Sequence, residues 1–259
     1  MRIAAIYDIH GNLPALEAVL ADIYRETVDL IVVGGDVVAG PMPGETLALL
    51  QSIEIPTRFI HGNAESEVLR HQAGLEIGGL SPHAEGIARW VAERLTPDQL
   101  QFLKSWPTTT RHKIEGLGEV LFCHATPHND IDVFTPQTSD ETLMTILGNV
   151  PESIMICGHT HMQFDHTLHH LRIINAGSVG MPFGKTGADW LLLDTNVTFK
   201  HTDYDQEKAA ERIRHTDYPQ AKAFADNNVL QAPTEAQASE MLIQLAAKQA
   251  EKRKLNMSN

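Results

Sequence analysis

Short apolar runs alternate with helical patterns over the first 65 residues, and this alternation restricts the folds open to the chain. We predict strands at Arg2–Tyr7, Leu30–Gly35 and Thr57–His61, separated by helices at Pro14–Arg25 and Glu45–Ser52. Apolar residues of the first helix recur on one face, as an amphipathic helix requires. A βαβαβ order implies parallel strands with helices packed on the faces of the sheet. The fold class is therefore α/β.

The rest of the chain departs from this rhythm. Helical patterns opened by Ser-Pro and Thr-Pro predict a helical insertion over about residues 75–106. Strand patterns then return at Arg111–Glu115, Glu119–Cys123, Ile154–Cys157, Phe164–Leu168, Arg172–Asn175, Trp190–Asp194 and Val197–His201.

The pattern after Asp203 is helical to the end. We therefore divide the chain into a domain over residues 1–203 and a C-terminal helical extension over 204–259. The last helix, about Thr234–Arg253, carries Met241, Leu242 and Leu245 on one side. This apolar side is expected to pack on the core or to form an oligomer interface.

Five of the predicted strands end in residues that can bind metals. These ends read Asp8-Ile9-His10, Asp36, His61-Gly62-Asn63, His124 and His159-Thr160-His161. In open α/β sheets the ligand crevice lies outside the carboxyl ends of the strands, so five such ends would deliver these groups to one place. Carboxylate, amide and imidazole donors together suit Mn²⁺, Fe, Zn²⁺ or Co²⁺ better than Ca²⁺ or an iron–sulfur cluster.

These blocks, in this order, resemble those of the calcineurin-like metallophosphoesterases. The matching residues are Asp8-x-His10, Gly35-Asp36, Gly62-Asn63, Cys123-His124 and Gly158-His159-x-His161, and the resemblance covers about residues 1–200. It implies a four-layer α-β-β-α sandwich of two mixed sheets with flanking helices. It also implies two divalent metal ions, manganese in the first place, with iron, zinc, cobalt or nickel as alternatives.

The resemblance also assigns roles by motif. Asp8, His10 and His161 would hold the first metal, Asn63, His124 and His159 the second, and Asp36 would bridge the two. In such enzymes a hydroxide shared by the metals attacks phosphorus, because each cation lowers the pKa of a bound water and the pair clamps the phosphate oxygens. Asp36, Asn63 and His124 would be catalytic by positioning metal and phosphate.

One departure from the family pattern bears on the substrate. Many members carry Gly-Asn-His-Asp or Gly-Asn-His-Glu, whereas this chain has alanine at position 64, between Asn63 and Glu65. Alanine cannot protonate a leaving group, and general acid catalysis is typically worth about 10²–10⁴-fold. Subfamilies similar to this chain, bacterial phosphodiesterases and diadenosine tetraphosphate hydrolases among them, also lack this histidine. We therefore expect phosphodiester or phosphoanhydride substrates, whose leaving groups are stable anions.

Other residues near the motifs allow two interpretations. Asn12 is expected to contact phosphate or to cap the helix that follows it. His128 would line the substrate side or be an ordinary loop residue. His61 would donate a proton in place of the missing histidine or pack at a strand end. The segment Asn175–Ser178 would form a turn or contact a ligand.

The net charge and the lengths of the apolar runs restrict the partners and the location that we expect. The formal net charge of −13 argues against a nucleic-acid backbone or an anionic membrane, but not against a small phosphorylated substrate, nucleotide-derived ones included. No apolar run approaches the roughly 20 residues that cross a bilayer, and the apolar stretch at Ile3–Tyr7 stops too early for a signal peptide. We expect a cytoplasmic protein in which Cys123 and Cys157 are reduced core residues.

Two alternatives to a phosphodiesterase remain open. One is a protein or sugar phosphomonoesterase on the same scaffold. The other is a non-catalytic metal-binding interaction module, similar to the retromer subunit with this fold. The complete set of seven ligand residues favours an enzyme.

The absence of histidine at position 64 leads to the first testable prediction. The substitution Ala64→His should raise kcat/KM on esters with poor leaving groups more than on esters with good ones, because only a basic leaving group needs a proton in the transition state. Aryl phosphate esters of graded leaving-group pKa would measure this difference. An equal effect on all of them would contradict the expectation.

Overall fold

The computed structural model describes residues 1–75 and 81–257. Residues 76–80 of the predicted insertion, and 258–259 of the predicted extension, lie outside the described residues. The strands are β1 (Ile3–Ile6), β2 (Leu30–Val33), β3 (Thr57–Phe59), β4 (Thr109–Ile114), β5 (Gly118–Cys123), β6 (Ile154–Cys157), β7 (Phe164–Leu168), β8 (Leu171–Asn175), β9 (Ala188–Leu193) and β10 (Val197–Thr202).

Helices connect and follow these strands. They are α1 (Leu13–Glu26), α2 (Pro43–Gln51), α3 (Asn63–Gln72), α4 (Pro82–Ala92), α5 (Pro97–Lys104), α6 (Asp140–Leu147), α7 (Gln206–Arg214), α8 (Ala221–Phe224) and α9 (Glu235–Met257). A π-helical turn at Ala225–Val229 continues α8. Among the residues described, no helix is both long and apolar enough to cross a membrane.

The first sheet confirms the parallel βαβαβ pattern. Its strand order is β10-β9-β1-β2-β3, with β1, β2 and β3 parallel and β9 and β10 antiparallel at one side. Ile3 pairs with Leu30 on one side and with Leu193 on the other. The central strand β1 therefore runs through the core, and its carboxyl end carries Asp8 and His10.

The second sheet has the order β4-β5-β6-β8-β7. Its central strands β5, β6 and β8 are parallel, whereas β4 and β7 pair antiparallel at the edges. The parallel strands β5 and β6 end just before His124 and His159. Both sheets are therefore mixed, as the family resemblance implies.

Three apolar layers hold the two sheets and the helices together. Between the sheets, side chains such as Ile3 and Tyr7 pack against Phe122 and Ile156. The outer face of the first sheet packs on α1, α2, α4, α5, α7 and α8, and the outer face of the second packs on α6. Burial of these apolar faces drives the assembly of the layers. The predicted four-layer sandwich is confirmed.

The sequence patterns did not predict α3 and α6. Helix α3 buries Ala64, Glu65 and Val68, a set with too few apolar residues to give a helical period. Helix α6 has an N-cap at Ser139 and a buried apolar face, but it spans only eight residues. Short helices give weak periodic signals, and a buried carboxylate hides the pattern altogether.

The C-terminal extension packs on the core. Helix α7 and the segment from Tyr218 to Val229 join the apolar cluster of the first sheet. In α9, Leu242 is buried, whereas Met241 and Leu245 are 50 % and 43 % exposed. Polar contacts tie the far end of α9 to the loop after β5, where the Gln249 side chain accepts from the Val133 amide. Whether the exposed residues form an oligomer interface stays a prediction.

Candidate metal centre

The structure brings the predicted ligands of the first metal together at the carboxyl ends of β1 and β6. His10 Nε2 lies 3.0 Å from His161 Nε2. Oδ1 of Asp8 lies 3.5 Å from His161 Nε2 and 4.0 Å from His10 Nε2. All three side chains are buried. We call Asp8, His10 and His161 the first group.

The predicted ligands of the second metal lie beside them. Asp36, His124 and His159, the second group, each offer one ligand atom within 4.8 Å of the others. Oδ1 of Asn63 is 3.2 Å from His124 Nε2, so the amide oxygen faces the same point. Asp36 follows β2, and His124 follows β5. His159 follows β6, and Asn63 follows β3.

Asp36 lies between the two groups. Its Oδ1 is 3.5 Å from His124 Nε2, and its Oδ2 is 3.8 Å from His10 Nε2. One carboxylate thus presents a separate oxygen to each group. This is the position that the resemblance implies for a bridging ligand.

Three of the imidazoles are oriented by backbone carbonyls. Nδ1 of His10, His124 and His161 lies 3.2, 2.9 and 3.0 Å from a carbonyl oxygen, of Ala39, Gly34 and Met181 respectively. A carbonyl can only accept, so Nδ1 carries the proton and donates it. In the neutral ring, Nε2 then directs its lone pair into the centre, as in most histidine metal sites.

The first group brings together hydrogen-bond acceptors but no hydrogen-bond donor, and such a set fits a cation. The Nε2 lone pairs of His10 and His161 face each other across 3.0 Å. Oδ1 of Asp8 is fully buried and has no hydrogen-bond partner among the described residues. Buried acceptors in this arrangement repel one another unless a positive charge lies between them. The donor set therefore fits a divalent metal ion.

The backbone of the centre adopts an uncommon conformation. Five of the predicted ligands have φ between 49° and 66°, in the left-handed region, namely Asp8, His10, Asp36, His159 and His161. Residues other than glycine rarely adopt this region, and such strain concentrates at functional sites. The ligand side chains therefore leave their loops in directions that an extended strand end would not give.

Glu65 fixes the loops that carry the second group through backbone hydrogen bonds. Its buried carboxylate accepts backbone N–H bonds from Asp36, Val37 and Gly62 at 2.9, 2.8 and 2.9 Å. Neighbouring Gly62 lies so close to Asp36 that a Cβ there would collide with Oδ1. This role of Glu65 is not evident from the sequence, because glycine at the N-cap lacks the side chain of a complete capping box and only the bond from the Gly62 amide to Glu65 forms.

Two further polar residues support the first group, and the sequence analysis left their role open. Ser178 Oγ donates to the Asp8 carbonyl at 2.7 Å and accepts from the Met181 amide at 2.8 Å. Asn175 Nδ2 donates to the Gly158 carbonyl at 2.6 Å and to Thr160 Oγ1 at 3.0 Å. The segment Asn175–Ser178 therefore forms a turn that buttresses the ligand loops.

Charges within the second group are strongly coupled. Burial would lower the pKa of His124, but the carboxylates of Asp36 and Asp8 outweigh it and raise the pKa to about 10. Burial would raise the pKa of Asp36, but the imidazoles of His124 and His10 hold it well below its ordinary range. Burial and the neighbouring His124 lower the pKa of His159 to about 4, so His159 is neutral near pH 7. A cation binding here would take the place of the His124 proton.

Two cavities adjoin the centre. One, which we call the extension cavity, has a volume of about 420 Å³ and reaches His10, Asp36 and Asn63. The other, the His124 cavity, measures about 280 Å³ and is lined by His124, Arg70 and the loop that follows β5. A substrate at the centre therefore has room for groups on two sides of its phosphorus.

The residues predicted to contact substrate have different surroundings. The Asn12 side chain is fully buried, accepts from the Ala15 amide as a helix N-cap and donates to the Gly180 carbonyl at 2.9 Å. These bonds agree with the capping interpretation of Asn12, one of the two that the sequence allows. His128 is exposed, lines the His124 cavity and lies with Nε2 2.9 Å from the Leu147 carbonyl. His61 lines the same cavity and packs against Trp106.

A family model for the calcineurin-like phosphoesterase superfamily domain matches residues 1–198. The chain belongs to this superfamily. The match contains all seven predicted ligands and every strand except most of β10, whereas the C-terminal extension lies beyond it. The resemblance inferred from the five sequence blocks is thereby confirmed.

The chain is similar to one curated protein and to solved structures of the same fold. An uncharacterized protein of Methanocaldococcus jannaschii is 30 % identical over 233 residues, which are 82 % of this chain and 91 % of that protein. A metallophosphoesterase from Sphaerobacter thermophilus has a TM-score of 0.69 at 25 % identity, covering 89 % and 98 % of the two chains. A hypothetical protein from Pyrococcus horikoshii OT3 has a TM-score of 0.71 at 20 % identity, covering 86 % and 97 %.

The Glu65 carboxylate generates a prediction about stability. Glu65→Ala should lower the free energy of unfolding by about 3–5 kcal/mol, because three buried N–H groups lose their acceptor. Glu65→Gln should cost less, since one acceptor oxygen remains. Urea denaturation measures both, with the exposed residue substituted in Glu54→Ala as control. Unfolding free energies of the Glu65 variants equal to that of the control would contradict the role described here.

The capping role of Asn12 is tested in the same way. Asn12→Ala should lower the free energy of unfolding by about 2–3 kcal/mol, through loss of the cap and of the buried bond to Gly180. Asn12→Ser, which can still cap, should recover about 1 kcal/mol of this. KM for any substrate should stay near that of the unaltered protein. Unchanged stability with a raised KM would instead favour phosphate contact.

Proposed function

We propose that this protein is a dinuclear metal-dependent phosphoesterase that hydrolyses phosphodiester or phosphoanhydride bonds. The observation that carries the proposal is the pair of ligand groups joined by Asp36. Each group gathers buried oxygen and nitrogen acceptors, and Asp8 Oδ1 lacks any hydrogen-bond partner among the described residues. Membership in the phosphoesterase superfamily supports hydrolysis of a phosphoric ester as the reaction.

The donor set favours particular metals. Two carboxylates, one amide oxygen and four imidazoles suit borderline divalent ions, and we propose Mn²⁺ in both positions, with iron, zinc, cobalt or nickel able to replace it. When bound, such a pair supplies an activated water at neutral pH and neutralises charge on the phosphate oxygens.

The residues of the chain prepare the centre for this chemistry. The carbonyls of Ala39, Gly34 and Met181 fix the tautomers of three imidazoles. Glu67 accepts from Asn63 Nδ2 at 3.2 Å, which turns the amide oxygen of Asn63 inward. Preorganised ligands of this kind lower the reorganisation needed during the reaction.

Two features support a diester or anhydride over a simple monoester. Ala64 lines the extension cavity at the place where a histidine would donate a proton, so the leaving group must depart without that help. The two cavities beside the centre would accommodate substituents on both sides of the phosphorus. A small phosphorylated substrate is therefore proposed. A cytoplasmic location, and the exclusion of nucleic-acid and membrane partners, stay predictions.

The substitution Asp36→Asn tests the proposal. The protein reconstituted with Mn²⁺ should bind about two metals per chain and hydrolyse bis-p-nitrophenyl phosphate or diadenosine tetraphosphate faster than p-nitrophenyl phosphate. Asp36→Asn should reduce kcat by at least about 10²–10³-fold, because it removes a charge shared by both groups. Metal analysis, turnover and circular dichroism would be measured together.

The control replaces an exposed aspartate of α5, in Asp98→Asn, which should leave turnover unchanged. Full activity of a folded Asp36→Asn protein would contradict the dinuclear mechanism. Faster turnover of p-nitrophenyl phosphate than of the diesters would favour the phosphomonoesterase alternative. Metal binding without turnover of any phosphate ester would favour the interaction module.

A further inference from the structure

The extension cavity is lined by residues of the matched family domain together with six residues of the C-terminal extension. One wall is the centre itself, with His10, Asp36 and Asn63. The other walls come from α4 and from the segment between Tyr218 and Asn228. Its volume of about 420 Å³ lies in the range of small-molecule sites, about 300–1,000 Å³. A substrate bound at the centre would extend into this space.

The cavity contains no cationic side chain of the lysine or arginine type among the described residues that line it. Glu67, whose carboxylate accepts from Asn63 Nδ2, lies in its wall. A phosphate or carboxylate group would find no counter-charge away from the metal ligands. These walls therefore favour an uncharged group.

The remaining walls are apolar surfaces edged by amides. Ile87, Met181 and Phe224 present flat or flexible apolar surface, and Gln220, Asn227 and Asn228 add carboxamides. Apolar walls suit the faces of a planar ring, and carboxamides pair with the donor and acceptor edge of a nucleobase.

Of these three carboxamides, those of Asn227 and Asn228 are free to bind a ligand, whereas that of Gln220 already has a partner. Gln220 Nε2 is 3.2 Å from His83 Nδ1, a contact that links the extension to α4. Asn227 and Asn228, in contrast, form no side-chain hydrogen bond to the residues that the structure describes. Both lie on the π-helical turn Ala225–Val229, a rare conformation that often occurs at functional sites.

We propose that the extension cavity binds a nucleoside group of the substrate, with Asn227 and Asn228 pairing with the edge of its base. This inference rests on the proposed function and names its substrate class as nucleotide esters or anhydrides. The chemistry at the phosphate would then lie with the metal-ligand loops, and substrate selection with α4 and the extension. Asn227 and Asn228 are specificity residues and take no part in the reaction at phosphorus.

Binding of free nucleosides tests this inference without any turnover. Adenosine, guanosine, cytidine and uridine would be titrated into the metal-loaded full chain and followed by calorimetry and saturation-transfer NMR. At least one should bind, and the double substitution Asn227→Ala/Asn228→Ala should raise its dissociation constant about tenfold, the equivalent of one to two lost hydrogen bonds. The control Asn149→Ala, at an exposed asparagine outside the cavity, should change nothing.

A kinetic comparison adds a second readout. The double variant should lose about tenfold in kcat/KM on the p-nitrophenyl ester of a nucleoside 5′-monophosphate and less than about twofold on bis-p-nitrophenyl phosphate, which has no base. Absence of nucleoside binding by the unaltered protein, or equal binding by the double variant, would overturn the inference. Nucleoside binding retained in Asp36→Asn, with turnover lost, would support both proposals independently. Nucleoside binding with no ester turnover by the unaltered protein would overturn the proposed function alone.

Discussion

The left-handed backbone at five of the predicted ligands is the constraint on which the rest of the structure depends. Each such residue costs of order 1–2 kcal/mol, so the loops would relax if nothing held them. They are held by backbone bonds that join one strand end to the next, such as Asp8 N–H to the Gly35 carbonyl at 3.1 Å and His10 N–H to the Asp36 carbonyl at 2.9 Å. These bonds require β1 and β2 to lie side by side and to end at the same level. The parallel core of the first sheet is therefore also the support of the candidate site.

Charge burial adds a second constraint. Asp8, Asp36 and Glu65 are almost completely buried within one small region, and the Glu65 oxygens are neutralised only by backbone dipoles. Three buried carboxylates repel one another, and the coupling of Asp36 to His124 relieves only part of this repulsion. Divalent cations between the groups would remove the rest, so metal binding and folding are linked energetically. The fold stabilises a centre that favours cations, and cations would in turn stabilise the fold.

The sequence was sufficient to predict the strands and the side chains that the structure gathers at the candidate centre, because both are local patterns. Apolar runs of four to six residues followed by Asp or His appear directly in the chain, and Cys123 and Cys157 lie buried and unpaired at the strand positions expected of them. Glu65 and Ser178 were harder to interpret, since their partners are backbone groups far along the chain. The extension cavity could not be predicted at all. It exists because His83 and Gln220, 137 residues apart, meet across it, and no local pattern reports such a contact.

The alanine at position 64, where many family members have histidine, lies in the wall of the extension cavity. Ala64 lines the cavity, and its small side chain leaves open the space between Asn63 and the walls formed by Ile87 and Phe224. A histidine there would supply a proton but would add bulk to this wall of the cavity. Loss of the general acid therefore has a compensating gain in room for a substituent of the phosphate. Under the proposed function, the chain combines a phosphoesterase centre with a binding wall that the extension completes, and alanine at position 64 suits the proposed substrate.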